Sequence, residues 1–315
     1  YRCAKNIVEF AKKYSPSIEP NNDGREGNVI FNANIEMVSD GDMVLCRNNA
    51  PLMKVYNDFI KLNKKCYIRG KDIGLNLKKV VESTNQEKLN VDLSSDGVFV
   101  RLYSSLFDTR DKMIMQTGLD NKTIMNSSIM SNKLDNIRAL EVLSEGLTTS
   151  EQLIEKIKEI FSDKAKEGIS LSTIHKAKGL ESNNVFIACN SLMPSKSAKQ
   201  KWEMEQEKNL MYVAYTRAKD NLFFLNEDDF KKFNGDNEQF LLGIEKQVNL
   251  ILNKKKKTLT ENDTEQVNKI VKNIDTIKIP TKGKSTILGN KTIKNNSLNS
   301  LTNKKQLNVR KKIII

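Results

Sequence analysis

One arginine lies at the end of a predicted apolar helix face, where a charged side chain needs an anionic partner. In the stretch EQEKNLMYVAYTRAK, residues 205–219, the spacing of one helix face joins Leu210, Val213, Ala214 and Arg217. A guanidinium at the edge of an apolar face is costly unless an anion meets it, and its planar set of donors suits phosphate oxygens. The pattern therefore predicts either a phosphate contact or a structural salt bridge from Arg217 to a neighbouring carboxylate.

A basic turn lies upstream of this stretch, in the segment GISLSTIHKAKGLESNNVFIAC. Two β-rich runs, residues 169–174 and 184–189, enclose a polar turn. The turn and its borders carry several reactive or charged side chains and one glycine: Thr173, His175, Lys176, Lys178, Gly179 and Glu181. A strand, a polar turn with glycine and another strand form a common α/β pattern, but so many charged or reactive side chains in the turn are unusual.

Four segments together resemble the motifs of one protein family. TIHKAKGLE (173–181) and YVAYTRAK (212–219) resemble two signature motifs of superfamily 1 DNA helicases of the UvrD/Rep/PcrA type, in that family's order. The segment VLCRNNA (44–50) resembles the family's VLYRTNA motif, and the opening YRCAKNIVEFA (1–11) resembles its NYRS motif. The resemblance implies the C-terminal motor lobe of an ATP-dependent DNA helicase, with a RecA-like parallel sheet and 3′-to-5′ polarity.

The resemblance also implies a nucleotide-binding half-site. Its members would be Arg217 and Arg2 at the γ-phosphate, Tyr1 against the adenine, Glu181 at the ribose, and Gly179 where the backbone approaches closely. Two departures are present, since Cys3 replaces the serine of NYRS and Ser182 replaces the aromatic residue that usually follows KGLE. Loss of that aromatic ring would weaken the packing behind Glu181. The alternative for residues 1–11 is an ordinary amphipathic helix.

A second implied set faces single-stranded DNA and consists of Arg47, Asn49, Thr173 and His175. Judged by composition alone, Arg47 could equally be a solvated loop charge. His175 could serve as a general base, but the resemblance favours a hydrogen-bonding contact with the strand.

A phosphate cradle is missing from the printed sequence. The one GKS, Gly283-Lys284-Ser285, has Lys278 where the pattern GxxxxGK[ST] requires glycine. The first residue is Tyr, which suggests a chain begun in mid-protein. We therefore expect ATP and Mg²⁺ to bind with help from a separate P-loop lobe that carries the Mg²⁺ ligands, in the same longer protein or in another chain. No metal site is expected on this chain, which alone should not hydrolyse ATP.

Sequence patterns divide the chain into four parts. Residues 1–70 and 167–252 would form the RecA-like α/β lobe, and residues 71–166 would form a small helical insertion, the family's accessory subdomain. Alternatively, that stretch holds the connecting helices of one larger α/β domain. Residues 253–315 have low hydrophobicity and hold 16 of the 52 basic but only 4 of the 39 acidic residues. This composition predicts a disordered basic tail that binds polyanions.

Composition limits the compartment and the function class. The four cysteines are widely spaced with a single histidine, so free thiols in a reducing cytoplasm are expected. No apolar run is long enough to cross a membrane. The expected partner is single-stranded DNA or a duplex junction. The rival hypothesis is a binding module for nucleic acid or protein that kept the lobe and lost catalysis.

Overall fold

The computed structural model describes residues 3–21, 24–162, 167–234 and 238–275. It divides into two units, residues 1–260 and 261–315. Within the first unit, six parallel strands form one sheet in the order β1-β6-β5-β2-β4-β3. The strands are β1 (Asn28–Ala33), β2 (Met43–Cys46), β3 (Cys66–Arg69), β4 (Ile169–Thr173), β5 (Ser182–Ala188) and β6 (Ala218–Leu225). The predicted α/β fold, a RecA-like parallel sheet with flanking helices, is confirmed.

Helices cover both faces of this sheet. They are α1 (Lys5–Lys12), α2 (Asn49–Lys61), α3 (Lys71–Glu82), α4 (Val98–Thr117), α5 (Asn121–Met125), α6 (Ser128–Leu143), α7 (Ser150–Ile160), α8 (Lys201–Tyr215), α9 (Lys231–Asn234) and α10 (Glu238–Asp275). In the second unit, residues 261–275 are helical.

Two hydrophobic cores form because side chains alternate along each buried strand. On β2, Val44 and Cys46 join the core that contains α2, α3, α4, α6 and α7. Met43 and Leu45 point to the opposite core, which contains α1 and α8. Every residue of β2 and β4 is buried, as expected of central strands in a parallel sheet covered on both faces.

The helical stretch after residue 70 packs into the larger core. Leu77 of α3, Phe99 of α4 and Leu140 of α6 are fully buried and belong to the same cluster as Val44 of the sheet. The described part of residues 71–166 contains no strand, only one isolated bridge between Lys88 and Thr149. Its status as an accessory subdomain stays a prediction.

Connections leave β2 and β5 in opposite directions, although these two strands are neighbours. The chain after β2 passes through α2 to β3, whereas the chain after β5 passes through α8 to β6 on the other side. Parallel α/β sheets bind ligands at the carboxyl ends of strands where the order reverses in this way. The residues that follow β2 and β5 are therefore candidates for a site.

The position at which α8 ends shows that the predicted helix face containing Arg217 is wrong. The helix ends at Tyr215, so Arg217 does not share a helical stripe with Leu210 and Val213. β6 begins at Ala218 and pairs with β5, which draws the chain out of the helix at this point.

Helix α10 includes residues 253–275, the first part of the segment predicted to be disordered. Its run of lysines consists of good helix formers, and extending a helix is much easier than starting one. Within the first unit, Lys255 also pairs with Asp96 at 2.6 Å. Residues 276–315 lie outside the described residues.

Candidate nucleic-acid interface and nucleotide sensor

A polar cleft of about 300 Å³ lies beyond the carboxyl ends of β2 and β4. All four residues predicted to contact single-stranded DNA line it: Arg47, Asn49, Thr173 and His175. They come from two segments that lie more than a hundred residues apart in the sequence, and the parallel pairing of β2 with β4 brings them together. Asn48 and Lys176, together with Ile73, Asn132 and Asp135 from the helical stretch, complete the walls.

Arg47 forms an ion pair that its sequence environment did not predict. Its Nη2 lies 2.8 Å from Oε1 of Glu207 on α8, and its Nε lies 3.3 Å from Oε2. Both side chains are largely buried, at 20% and 10% exposure. Arg47 is therefore not a solvated loop charge. Glu207 also accepts a hydrogen bond from the backbone N–H of Ser195 at 2.9 Å, so one carboxylate links the segments that follow β2 and β5.

Thr173 and His175 occupy the other wall of the cleft. Thr173 is buried at the last position of β4, and His175 is exposed in the turn that follows. Partial desolvation, and then the positive charge of Arg47, hold the pKa of His175 below its usual value, whereas Glu207 opposes this shift. The lowered pKa leaves the imidazole neutral at pH 7, a form that can donate one hydrogen bond and accept another.

Asn49 begins α2, and its backbone is held by a residue far along the chain. The carboxylate of Asp135 on α6 accepts the N–H of Asn49 at 2.8 Å and the N–H of Ala50 at 3.0 Å. Asp135 is buried, and burial raises the pKa of its carboxyl group. No pattern in the sequence singled out Asp135 or Glu207, because each partner lies more than eighty residues away.

Arg217 lies in a different part of the unit, between α8 and β6. Its Nε donates to the carbonyl of Val213 at 2.9 Å, and its Nη1 donates to the carbonyl of Leu180 at 3.3 Å. Its Nη2 lies 3.3 Å from the hydroxyl of Thr216. Within the described part of the chain, these partners are neutral oxygens, so the predicted salt bridge to a carboxylate is not what holds Arg217.

The start of the described chain lies next to Arg217. Cys3 donates its thiol to the carbonyl of Thr216 at 3.0 Å, and Ala4 donates its N–H to the carbonyl of Lys219 at 2.9 Å. Burial raises the pKa of the Cys3 thiol, while the charge of Arg217 opposes this. Tyr1 and Arg2, the other predicted nucleotide contacts, lie outside the described residues.

Gly179 and Glu181 end the basic turn on the side of Arg217. Gly179 has φ of +89°, a conformation that favours glycine, and a Cβ placed there would meet nothing within 4 Å. The carboxylate of Glu181 lies 3.9 Å from Nζ of Lys219. Ser182, in place of the family's aromatic residue, donates its hydroxyl to the carbonyl of Gly41 at 2.9 Å.

Among the described residues, no cluster of three or more His, Cys, Asp or Glu side chains is arranged to hold a metal ion. No described helix combines the length and apolar character needed to span a bilayer.

The parallel α/β sheet is consistent with the family to which the sequence can be assigned. Residues 57–228 match the model of the UvrD-like helicase C-terminal domain, and the chain belongs to this family. The match includes Thr173, His175 and Arg217, whereas Arg47 and Asn49 precede it.

Curated relatives carry names from the same group of helicases. The chain is 27% identical over 188 residues to the ATP-dependent DNA helicase Rep of Buchnera aphidicola subsp. Schizaphis graminum, covering 56% of this chain and 28% of that protein. It is 36% identical over 100 residues to the ATP-dependent DNA helicase PcrA of Bacillus subtilis, covering 30% and 14%. A probable DNA helicase II homolog of Mycoplasma capricolum is 47% identical over 58 residues, covering 18% and 8%. The chain thus spans at most 28% of the length of these relatives.

Proposed function

We propose that this chain is the C-terminal motor lobe of an ATP-dependent DNA helicase that translocates 3′ to 5′ along a single strand. The observation that carries the proposal is the convergence of Arg47, Asn49, Thr173 and His175 on one cleft. Amide, hydroxyl and imidazole groups there can hydrogen-bond to phosphate and sugar oxygens, which position a strand without reading its sequence.

Each cleft residue has a definite part in this proposal. Glu207 neutralises much of the charge of Arg47 and fixes its orientation, so Arg47 would offer directed N–H groups rather than a free cation. Asn49 and Thr173 would supply neutral hydrogen bonds from opposite walls. Neutral contacts of this kind can be made and broken as a strand advances, because none of them alone binds tightly.

The nucleotide half of the proposal rests on Arg217. Its environment fits an anionic ligand, because the described partners of the guanidinium are neutral and leave its charge uncompensated by hydrogen-bonded carboxylates. ATP, bound with Mg²⁺ by a P-loop lobe, would supply the free energy for movement through its hydrolysis. From this chain, Arg217 and Arg2 would contact the γ-phosphate. Tyr1 would contact the adenine, and Glu181 would contact the ribose.

Coupling between the two sites would run through the turn after β4. Thr173 and His175 lie at its start, in the cleft, and the carbonyl of Leu180 near its end accepts a hydrogen bond from Arg217. A movement of Arg217 towards phosphate would therefore pull on the segment that contacts the strand.

The proposed strand contact is tested with labelled single-stranded oligonucleotides and the whole chain. Asn49→Ala and Thr173→Val should each weaken binding roughly fivefold, the value of one net hydrogen bond. Thr84→Val removes a half-buried hydroxyl bonded to Val81 away from the cleft, and serves as the matched control. Affinities that do not differ among the chain and all three variants would contradict the cleft as the strand site.

A further inference from the structure

Helix α2 lacks a cap from its own sequence. Asn48 occupies the N-cap position with extended backbone, yet its side chain makes no capping hydrogen bond. The first N–H groups of a helix have no partner within the helix and need one from elsewhere. They find it in Asp135, whose Oδ2 and Oδ1 accept the N–H groups of Asn49 and Ala50.

Polar contacts join α2 to α6 and to the residues just after α6 from the start of α2 to its end. Beyond the cap, Nδ2 of Asn57 donates to the carbonyl of Val142 at 2.8 Å. Farther along, Nζ of Lys61 lies 2.9 Å from the carboxylate of Glu145. Because partners advance together along both chains, α2 and α6 run parallel, and Asp135 is placed by the packing of α6.

We propose that Asp135 is a positioning residue, which orients Arg47 and Asn49 for the strand by holding the first turn of α2. This inference rests on the proposed strand-binding function of the cleft. Asp135 lines the cleft, but its oxygens are engaged by backbone N–H groups and would repel phosphate. Its contribution to binding is therefore indirect. By this inference, the helical stretch of residues 71–166 contributes to DNA binding, because its helix α6 carries Asp135.

Whether the removal of the Asp135 charge weakens or tightens DNA binding distinguishes a positioning role from a purely electrostatic one. Removing a negative charge beside a phosphate site should tighten DNA binding if the charge acts only through its field. Removing it should weaken binding if the carboxylate is needed to hold Asn49 and Arg47 in place.

The experiment uses Asp135→Asn in the whole chain, because Asn keeps one of the two acceptors and so favours a folded variant. Glu141→Gln is the matched control. It alters a half-buried acid on the same helix that accepts the hydroxyl of Tyr103 at 2.6 Å, away from the cleft. We expect Asp135→Asn to weaken binding of a labelled oligo-dT roughly tenfold, as for loss of one or two strand contacts, and Glu141→Gln to change it less than twofold.

Two further measurements test the positioning role of Asp135. Amide exchange at Asn49 and Ala50 should accelerate in Asp135→Asn and not in Glu141→Gln. In an Asn49→Ala background, Asp135→Asn should have a smaller effect on affinity, because the contact of Asn49 is already lost and only the part that acts through Arg47 remains.

The possible failures are distinguishable. If Asn49→Ala and Thr173→Val leave binding unchanged, the proposed function fails, and the inference fails with it. If those variants weaken binding while Asp135→Asn leaves it equal or tighter, only the positioning role is overturned. Unchanged amide exchange at Asn49 and Ala50 would likewise overturn it.

Discussion

The guanidinium of Arg217 is oriented by backbone carbonyls, which leaves its charge available to an anion. This arrangement differs from the helical stripe inferred from spacing, because the residue lies between α8 and β6. Hydrogen bonds to Val213 and Leu180 fix two of its nitrogens. Under the proposed function, an arginine fixed in this way would act on a nucleotide held by another lobe.

Arg217→Ala should abolish most ATP turnover in a chimera where this chain replaces the matching region of the Bacillus subtilis PcrA. We expect kcat to fall roughly 10³-fold with a smaller change in nucleotide affinity, the effect of removing an arginine finger. DNA-stimulated ATP hydrolysis measures it. Arg217→Lys, which keeps the charge without the fork of donors, separates geometry from charge. A kcat that survives Arg217→Ala would reduce Arg217 to a structural role.

His175 should make strand binding depend on pH. Its pKa lies below the usual value, so it is neutral at pH 7, and a bound phosphate would raise that pKa by favouring the imidazolium. Protonation is thus coupled to binding, and affinity should rise as the pH falls from about 7.5 to about 6. Oligonucleotide titrations of the chain and of His175→Gln measure the difference. A pH dependence that survives the substitution would assign it to another group.

The part of α10 within the first unit buries Leu241, Ile244 and Val248 in the larger core and also makes polar contacts. Arg110 of α4 forms two hydrogen bonds with Glu245, at 2.7 and 2.6 Å. Gln247 donates to the carbonyl of Leu93 at 2.9 Å. The first pair is mostly buried, at 12% and 21% exposure, so it should contribute more to stability than a surface ion pair.

Glu245→Gln should lower the free energy of unfolding by about 2 kcal/mol at pH 7, whereas Asp111→Asn should cost less than about 1 kcal/mol. Asp111 is the matched control, because it contacts the same arginine at 2.7 Å but is 58% exposed. Urea denaturation measures both values. Equal losses for the two variants would contradict the assignment to burial.

The same pair should lose its contribution in acid. The hydrogen bond from Arg110 lowers the pKa of Glu245, so the stabilisation is present above the ordinary value of about 4.3. It is lost as the pH falls through the lower value in the folded protein. The difference between the chain and Glu245→Gln should therefore shrink from about pH 5 to about pH 3.

Charge is distributed unevenly over the whole molecule. The formal net charge is +13, yet residues 1–252 hold 36 basic and 35 acidic side chains. Residues 276–315 hold ten basic and no acidic ones. Under the proposed function, binding of DNA by the first part of the chain would rely on local contacts such as those in the cleft.

Deleting residues 276–315 should weaken DNA binding most at low salt and flatten the dependence of log K on log salt concentration. Each phosphate contact contributes about 0.7 to 0.9 to that slope through counterion release. The deletion starts after Asp275 because Lys255 pairs with Asp96, and a cut at residue 253 would remove that contact. A chain with the ten basic residues changed to Gln is the matched control. Equal salt slopes for all three proteins would mean that the segment has no part in binding.

The sequence by itself determined the fold class, because buried strands of a parallel sheet are continuous apolar runs. The family resemblance named Arg47, Asn49, Thr173 and His175 before any coordinates, and these four residues line one cleft. The motifs around Arg47 and Arg217 are equally local. Only the tertiary structure decided how these residues are held: Glu207 pairs with Arg47 across 160 residues, and Asp135 caps Asn49 across 86. Such partners leave no periodic signal, because their proximity follows from strand order and helix packing rather than from neighbours in the chain.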